Sequence, residues 1–359
     1  MSHSDWRSEQ ARQRAAVLVD ALRGLPHVTR VEVKAAPRAA EHDAVIDLRI
    51  RGKPLSLVVD VKSEVYPRQA RGLIERWAST KPSSTRVVVS ANHLSESARA
   101  LLLEAGIGSH ADDGKLRLPF DEAYVIVDAP ASPSARRLPR LKLFTAARTP
   151  VLHALLLAPD RWCSVKELAM ASGISTANVS KLLTHLEQEE VVISEGLGPA
   201  KVRRLDKPAS LLDAWVAQEQ AQLAQRRVRK FFVPGRKGDG LLQLINESST
   251  AIEASPSAYA LTAEAAASFY APYLTAWSIT TVRATSDWLA DLLMRTDIRE
   301  VDQGANLHVV EVEPAGVPFV QRRGEVLCAS PVQTYVDLMV ASGRGPDAGR
   351  FLREQVLGF

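Results

Sequence analysis

Residues 164–190 read SVKELAMASGISTANVSKLLTHLEQEE, and this stretch contains two helical patterns separated by a short turn. Ser164 and Glu167 have the spacing of a capping box, in which each residue caps the first turn of a helix. Gly173 suits the left-handed position that ends a helix, and Ser175 can cap the helix that follows. The apolar residues of the second helix recur every three or four positions: Val179, Leu182, Leu183 and Leu186. This spacing predicts one buried face and therefore a helix-turn-helix.

The flanks of this stretch extend the prediction to a winged helix-turn-helix over residues 148–207. A short apolar run at 151–157 predicts a preceding helix. Two β-type runs, 191–194 and 201–205, follow the second helix and are joined by a turn that contains glycine and proline. Such a hairpin is typical of a wing.

Polar residues of this segment are of the types that reach base edges and phosphates. The predicted DNA-binding residues are Ser175, Thr176, Asn178, Lys181, His185, Lys201, Arg203 and Arg204. We expect Thr176, Asn178 and Lys181 to enter the major groove and the three wing residues to hold the phosphate backbone. Acidic side chains at 187–190 leave an alternative open, a winged helix that binds protein.

Residues 1–130 alternate between helical and β-type patterns, which is typical of an α/β domain. The patterns predict helices at 8–23, 67–80 and 95–105 and strands at 28–34, 44–50, 55–61, 86–90 and 124–128. A tight turn at 51–54 predicts a hairpin between the second and third strands. The first six elements therefore follow the order α-β-β-β-α-β.

Asp47 lies on the second of these strands, and Asp60 and Lys62 end the third. The arrangement Asp-x(12)-Asp-x-Lys resembles the PD-(D/E)XK motif of restriction-endonuclease-like folds. The resemblance implies that Asp47, Asp60 and Lys62 are catalytic: the two carboxylates would hold Mg²⁺, and the lysine would activate the attacking water. Glu9 would supply another acid from the first helix. The alternative is a non-catalytic scaffold or a platform that contacts DNA.

A basic, proline-containing linker, 131–147, separates this domain from the winged helix. Residues 208–359 predict a third domain, of mixed α/β class. Two runs, 131–150 and 226–237, carry arginines and lysines with no acid, and such runs attract polyanions. A solvated surface is the alternative for both runs.

The composition excludes several classes of protein. The chain has 359 residues and a formal net charge of +4. No stretch of the sequence reaches the ~18–20 continuous apolar residues that cross a bilayer. The N-terminus lacks the apolar core of a secretion signal, so we expect a cytoplasmic protein. Cys163 and Cys328 are too few for a disulfide framework, and no Cys/His cluster predicts a zinc site.

Two motifs near the C-terminus resemble those of AbiEi-like antitoxins, the regulators of abortive-infection type IV toxin–antitoxin systems. Residues 259–267, YALTAEAAA, are similar to that family's YALTG..AA segment, and residues 330–338, SPVQTYVDL, are similar to its SP.Q.Y.DL segment. Ala263 stands where the family often has glycine, and Lys115 stands where it often has asparagine. Further segments extend the resemblance: 101–118, 271–273 and 343–353.

The resemblance implies a transcriptional regulator that represses its own operon. It would counter a toxin encoded beside it without a stable toxin–antitoxin complex. Its partner would be double-stranded DNA at its own operator, bound at a palindromic or repeated site if the protein forms a homodimer. DNA binding would need no cofactor, and Mg²⁺ would enter only if the first domain were active.

The expected fold is therefore multidomain, of α/β and α+β class. It consists of a restriction-endonuclease-like α/β domain over 1–130, a winged helix-turn-helix over 148–207, and an AbiEi-like mixed α/β domain over 208–359. We predict a sequence-specific DNA-binding regulator, and the sequence leaves open whether it is also an enzyme, which would then be a Mg²⁺-dependent endonuclease. The alternatives are a Mg²⁺-dependent nuclease of the PD-(D/E)XK class and a protein-interaction or ligand-sensing module.

Overall fold

The computed structural model describes residues 3–35, 42–80, 85–120, 123–128, 143–251, 258–274, 277–295, 297–313 and 316–359. These residues form two compact units. The first contains the described residues before Leu143 together with His185–Glu190, and the second contains Leu143–Thr184 and Val191–Phe359. Up to position 142, the predicted linker 131–147 lies outside the described residues. No helix within these ranges is long and apolar enough to span a membrane.

The first unit is built on a seven-stranded sheet in the order β1-β2-β3-β4-β5-β6-β7. Its elements are α1 (His3–Arg23), β1 (Val28–Ala35), β2 (Ala44–Ile50), β3 (Lys53–Val65), α2 (Pro67–Thr80), β4 (Thr85–Leu94), α3 (Glu96–Glu104), β5 (Gly108–Ala111), β6 (Lys115–Phe120) and β7 (Ala123–Asp128). The β3–β4 and β4–β5 pairs are parallel, and the other neighbours are antiparallel. The predicted order α-β-β-β-α-β is confirmed from α1 to β4. Strands β5 and β6 were not predicted from the sequence.

The hairpin between β2 and β3 follows from its two turn residues. Arg51 and Gly52 both have positive φ, 50° and 81°, which is the backbone of a type I′ turn. This turn matches the right-handed twist of the strands, and it sets the register in which Ile50 pairs with Lys53. Every later pair along the two strands is fixed by that first one.

Strand β3 lies in the middle of the sheet and is buried on both faces. Leu57 and Val59 belong to the core beneath α1, together with Leu18 and Leu22. Val58 belongs to the opposite core, between the sheet and the helices α2 and α3. Because side chains alternate along a strand, Asp60 shares the face of Val58.

The second unit begins with the winged helix. Its elements are α4 (Thr149–Leu157), β8 (Cys163–Ser164), α5 (Val165–Ser172), α6 (Thr176–Gln188), β9 (Val192–Glu195) and β10 (Val202–Leu205), with the sheet order β8-β10-β9. The predicted capping box is confirmed: the backbone N–H of Glu167 donates to Ser164 Oγ over 3.2 Å, and that of Ser164 donates to Glu167 Oε2 over 2.8 Å. The bond from the Ser164 backbone is the main reason that the pKa of Glu167 is lowered. Gly173 ends α5 with a φ of 70°.

The rest of the second unit folds around a seven-stranded sheet in the order β14-β11-β15-β13-β12-β17-β16. Its elements are α7 (Pro208–Ala221), β11 (Val228–Phe232), α8 (Asp239–Ala251), β12 (Tyr259–Thr262), α9 (Ala263–Tyr270), β13 (Thr280–Thr285), α10 (Ser286–Arg295), β14 (Arg299–Glu300), β15 (Leu307–Val312), β16 (Gln321–Arg323), β17 (Val326–Cys328), α11 (Pro331–Met339) and α12 (Gly345–Leu352). Trp288 and Phe231 are among the fully buried side chains of its core. The predicted mixed α/β class is therefore confirmed.

Ala263 carries backbone strain at the start of α9. It is buried and has a φ of 51°, in the left-handed region that β-carbons disfavour. This is the position at which AbiEi-like proteins often have glycine. The strain explains why glycine suits it, since glycine adopts positive φ without a steric cost.

We expect Ala263→Gly to be between neutral and about 1 kcal/mol more stable than the wild type, because relief of strain exceeds the loss of one buried methyl group. The matched control is Ala266→Gly, a buried position inside the same helix. That variant should lose about 1 kcal/mol or more. Urea unfolding of the two variants compares them directly, and equal destabilisation by both would contradict the strain at Ala263.

Candidate nucleic-acid interface

Helix α6 presents one buried and one exposed face. Its start is capped by Ser175, whose Oγ accepts a hydrogen bond from the backbone N–H of Asn178 over 3.4 Å. The predicted buried residues are all buried: Val179, Leu182, Leu183 and Leu186. Thr176, Asn178 and Lys181 are exposed, as a surface that reads DNA requires.

The centre of the exposed face is formed by Ala177, Lys181 and Thr184. All three are exposed, and their spacing of four and three places them in a row along the helix. Asn178 lies at the edge of this row and Thr176 in the first turn. Ala177 and Thr184 were missed in the sequence, although the helical period that gave the buried face also gives the opposite one. Thr184 Oγ1 donates to the carbonyl of Ser180 over 2.9 Å, which fixes its rotamer.

His185 differs from the other residues predicted on this helix. It is half-buried, and by its contacts it belongs to the first unit rather than to the exposed row. A direct contact of His185 with bases therefore stays a prediction.

The wing corrects the role predicted for Arg203. Residues alternate along β10, and Arg203 and Leu205 take its buried face. The side chain of Arg203 is only 7% exposed, so it is not placed to hold a phosphate. Arg204 takes the other face and lies over the ring of Trp162, 5.2 Å from its centroid, while Lys201 is half-buried. Of the three predicted wing cations, the structure thus brings two toward the surface.

His153 anchors the first helix of the winged helix to the C-terminal sheet domain within the second unit. Its side chain is fully buried, and Nε2 lies 2.6 Å from Ser330 Oγ at the start of α11. The rings of Trp215 and Phe319 pack against it at 5.2 and 4.7 Å. Burial, and then the charge of Arg283, lower the pKa of His153 to about 3, so this residue is neutral at physiological pH.

Asp337, on helix α11, is the shared acceptor of a buried cluster of charged and polar side chains. Arg283 donates to both of its oxygens over 2.7 Å, and Arg226 donates to Oδ1 over 2.6 Å. Thr262 Oγ1 donates to Oδ2 over 2.5 Å. The two motifs that resemble AbiEi-like antitoxins therefore meet at this carboxylate, since one supplies Thr262 and the other supplies Asp337 itself.

The same cluster changes the interpretation of the basic run 226–237. Arg226 is paired with Asp337, and Arg229 donates to both carboxylate oxygens of Glu300 over 2.9 and 2.6 Å. The charge of Arg226 is therefore neutralised in the interior and that of Arg229 at the surface. The run is therefore not a continuous basic patch of the kind that attracts polyanions, and most of the other basic run, 131–150, lies outside the described residues.

In the first unit, Asp60 and Lys62 lie together as predicted. The carboxylate of Asp60, however, already has hydrogen-bond donors at both oxygens. Asp60 is 1% exposed. Its Oδ1 accepts from Lys62, and its Oδ2 accepts from Trp77 Nε1 over 3.2 Å and pairs with Arg76. Both oxygens are thus occupied by hydrogen-bond donors, two of them cationic.

Asp47 does not join Asp60, which corrects the predicted pair of metal ligands. Its partner across the hairpin is Ser56, four residues before Asp60 on β3, and four strand residues span about 13 Å. Asp47 instead accepts from Lys34 Nζ and Ser56 Oγ, each over 2.7 Å. The bond from Lys34, followed by that from Ser56, lowers its pKa.

The acidic residue that the strand register places opposite Asp60 is Asp43. It directly precedes β2, one step beyond the pair Ala44–Val59, and its Oδ2 accepts from the backbone N–H of Val61 over 2.7 Å. Among the described residues, no three His, Cys, Asp or Glu side chains are grouped to hold a metal ion, and the side chain of Glu9 is not described. With Asp60 saturated by donors, these residues do not fit the Mg²⁺ centre that the motif implies.

Comparison with known proteins bears on the winged helix. The profile of the MarR family matches residues 144–198. This segment is therefore similar to a MarR-family winged helix domain. Such a domain is typical of DNA-binding transcriptional regulators, and α6 with its exposed row lies within the matched range.

Two further comparisons concern solved structures and curated proteins. A solved structure described as "Structure of EndoMS in apo form" is similar to 27% of the chain, with 15% identity and a TM-score of 0.19. The match spans 45% of that chain, and a TM-score this low does not establish a shared fold. The search of curated proteins gives no match.

Proposed function

We propose that the protein is a sequence-specific transcriptional regulator that binds its own operator through the MarR-family winged helix. The observation that carries the proposal is the exposed row of α6, where Lys181 stands between two small side chains, Ala177 and Thr184. Small residues let the helix approach the groove closely, and the lysine supplies a base-edge or phosphate contact.

The antitoxin-like role belongs to the same proposal and rests on the two C-terminal motifs. We propose autorepression of an operon that encodes a toxin, with no stable complex between the two proteins. Such a regulator acts in the cytoplasm and needs no cofactor to bind DNA. As a homodimer it would recognise half-sites whose centres are about one helical turn, ~34 Å, apart.

Gel shifts on the protein's own upstream DNA, at two salt concentrations and with competitor DNA, test the proposal. We expect Lys181→Ala to weaken binding and to reduce the slope of log affinity against log salt by about 1, because one phosphate contact is lost. Asn178→Ala should instead reduce the preference for the operator over competitor DNA by about 1–3 kcal/mol.

The matched control is Lys237→Ala, an exposed lysine of the same unit that lies outside the winged helix. It should leave both the affinity and the slope unchanged. A wild-type protein that gives no discrete shift, or a slope unaltered by Lys181→Ala, contradicts the proposed interface.

The nuclease remains a prediction that the geometry of Asp60 does not favour. A Mg²⁺ ion at this carboxylate would have to displace Lys62 and Arg76, and Asp47 is too far away to share the ion. No step of the proposed function therefore passes through a metal.

A further inference from the structure

The tip of the wing, residues 195–200, has a defined conformation. The backbone N–H of Ala200 donates to the carbonyl of Leu197 over 3.3 Å, and that of Lys201 donates to Gly198 over 3.2 Å. Gly196 has a φ of 78°, and a β-carbon there would lie 2.7 Å from the Ala200 carbonyl oxygen. The two sides of the hairpin are therefore packed closely, and Leu197 projects from a fixed turn.

Leu197 is the most exposed large apolar side chain among the described residues, at 88%. Pro199 and Ala200 beside it are also exposed, and the one charged residue of 195–200 is Glu195, at the end of β9, so the five residues that follow it are uncharged. Full burial of a leucine is worth about 1.5–3 kcal/mol, so a tip of this kind gains by entering an apolar environment.

We propose that this apolar tip enters the minor groove of DNA beside the major-groove site of α6 and wedges between two bases. The inference rests on the proposed DNA binding and deepens it. A narrow minor groove also attracts inserted arginine or lysine, but the basic residues of this wing, Lys201, Arg203 and Arg204, all follow the tip in the chain, and Arg203 points into the domain. Leucine and proline are side chains that architectural proteins insert between base steps, kinking the duplex.

The size of the tip favours DNA over protein. A stable protein interface buries about 800 Å² on each partner, far more than one leucine with its proline and alanine neighbours can supply. The minor groove is only about 6 Å wide, which matches a single side chain on a narrow turn. The tip is also continuous with the proposed interface, because β9 follows α6 directly in the chain.

A wedge predicts a preference for deformable DNA. Pyrimidine–purine steps such as TA and CA unstack most easily, whereas A-tracts are stiff. Specificity at the wing position would then come from the cost of unstacking a step and not from hydrogen bonds to its bases. This preference is separate from the one that Asn178 reads in the major groove.

The test uses the shortest fragment of the upstream DNA that the wild-type protein shifts, labelled at both ends for energy transfer. We expect Leu197→Ala to bind about tenfold more weakly, to lose the bend and to lose the preference for a TA step over an A-tract, with its salt slope unchanged. Lys181→Ala should show the opposite pattern, a reduced slope with the bend kept. The control for exposed apolar surface is Met294→Ala, at a residue on α10 that is 84% exposed, and it should match the wild type.

Three outcomes overturn the inference in distinguishable ways. If the wild type shifts no DNA, the proposed function fails and the wedge fails with it. If the wild type binds but Leu197→Ala binds and bends DNA equally well, the wedge alone is wrong. If sedimentation shows a self-association of the wild type that Leu197→Ala abolishes, the tip is a contact between two copies of the chain, which also overturns the wedge.

Discussion

Replacing Asp337 with alanine is expected to destabilise the second unit by about 3–5 kcal/mol, the cost of breaking a buried ion pair by removing one partner. Arg283 and Arg226 would keep their charges in the protein interior after the carboxylate that neutralises them is gone. Hydrogen exchange should show the loss in α11 and β12, whose residues meet at this cluster, while the first unit keeps its protection.

The pH dependence of stability follows from the same carboxylate. Burial alone would raise the pKa of Asp337, but the guanidinium groups of Arg283 and Arg226 lower it well below the usual value of 3.8. Because the folded pKa is the lower one, the stability that Asp337 contributes is complete above the unfolded pKa and is lost as the pH falls through the folded pKa. We expect the urea midpoint of the wild type to fall steeply below about pH 4 and that of Asp337→Asn to fall less.

A surface ion pair provides the control for Asp337. Asp347 pairs with Arg350 on α12, and both side chains are about half exposed. Asp347→Ala should change the stability by no more than about 1 kcal/mol, because solvent screens exposed pairs. An Asp337→Ala variant as stable as this control would show that the cluster does not hold the unit together.

The second large effect is expected at Asp60. Asp60→Ala should destabilise the first unit by about 3 kcal/mol, because Lys62, Arg76 and Trp77 all use this buried carboxylate. A carboxylate kept for a metal would behave in the opposite way, since functional sites are held at a cost in stability and their removal is often stabilising. The free energy of unfolding of the metal-free protein therefore separates a structural Asp60 from a catalytic one.

Two measurements complete this test. Asp47→Ala, which removes a partly exposed pair with Lys34, should cost less than about 1 kcal/mol. Excess Mg²⁺ should leave the melting temperature of the wild type unchanged, since an ion that binds the folded state would raise it. Plasmid cleavage that requires Mg²⁺ and disappears in Asp60→Asn would overturn the structural role.

The helix-turn-helix could be predicted because its signals are local. The capping box of Ser164 and Glu167, the left-handed Gly173 and the period of the buried leucines each lie within one or two turns of helix. None of them depends on residues far away in the chain. The same holds for the hairpin at Arg51 and Gly52, whose backbone requirement is confined to the turn.

The predictions that were wrong, the outward direction of Arg203 and the pairing of Asp47 with Asp60, both depend on strand register. A shift of one residue exchanges the two faces of a strand, so the inward direction of Arg203 depends on how the wing pairs Val202 with Glu195. For the predicted metal ligands, the sequence does show the two-residue turn between β2 and β3. Counting equal steps outward along both strands from that turn places Asp43 opposite Asp60. The motif spacing led to Asp47 because that residue lies on a strand pattern, whereas Asp43 precedes it.

The link between His153 and Ser330 has a consequence for how the protein is made. The two residues are 177 positions apart, so at a synthesis rate of about 5–20 residues per second His153 emerges from the ribosome roughly 10–35 s before its partner. During that interval the newly made winged helix lacks the α11 surface against which its first helix packs. We expect α4 to reach its native packing only after Ser330 has emerged, so the winged helix gains its full stability only after that interval.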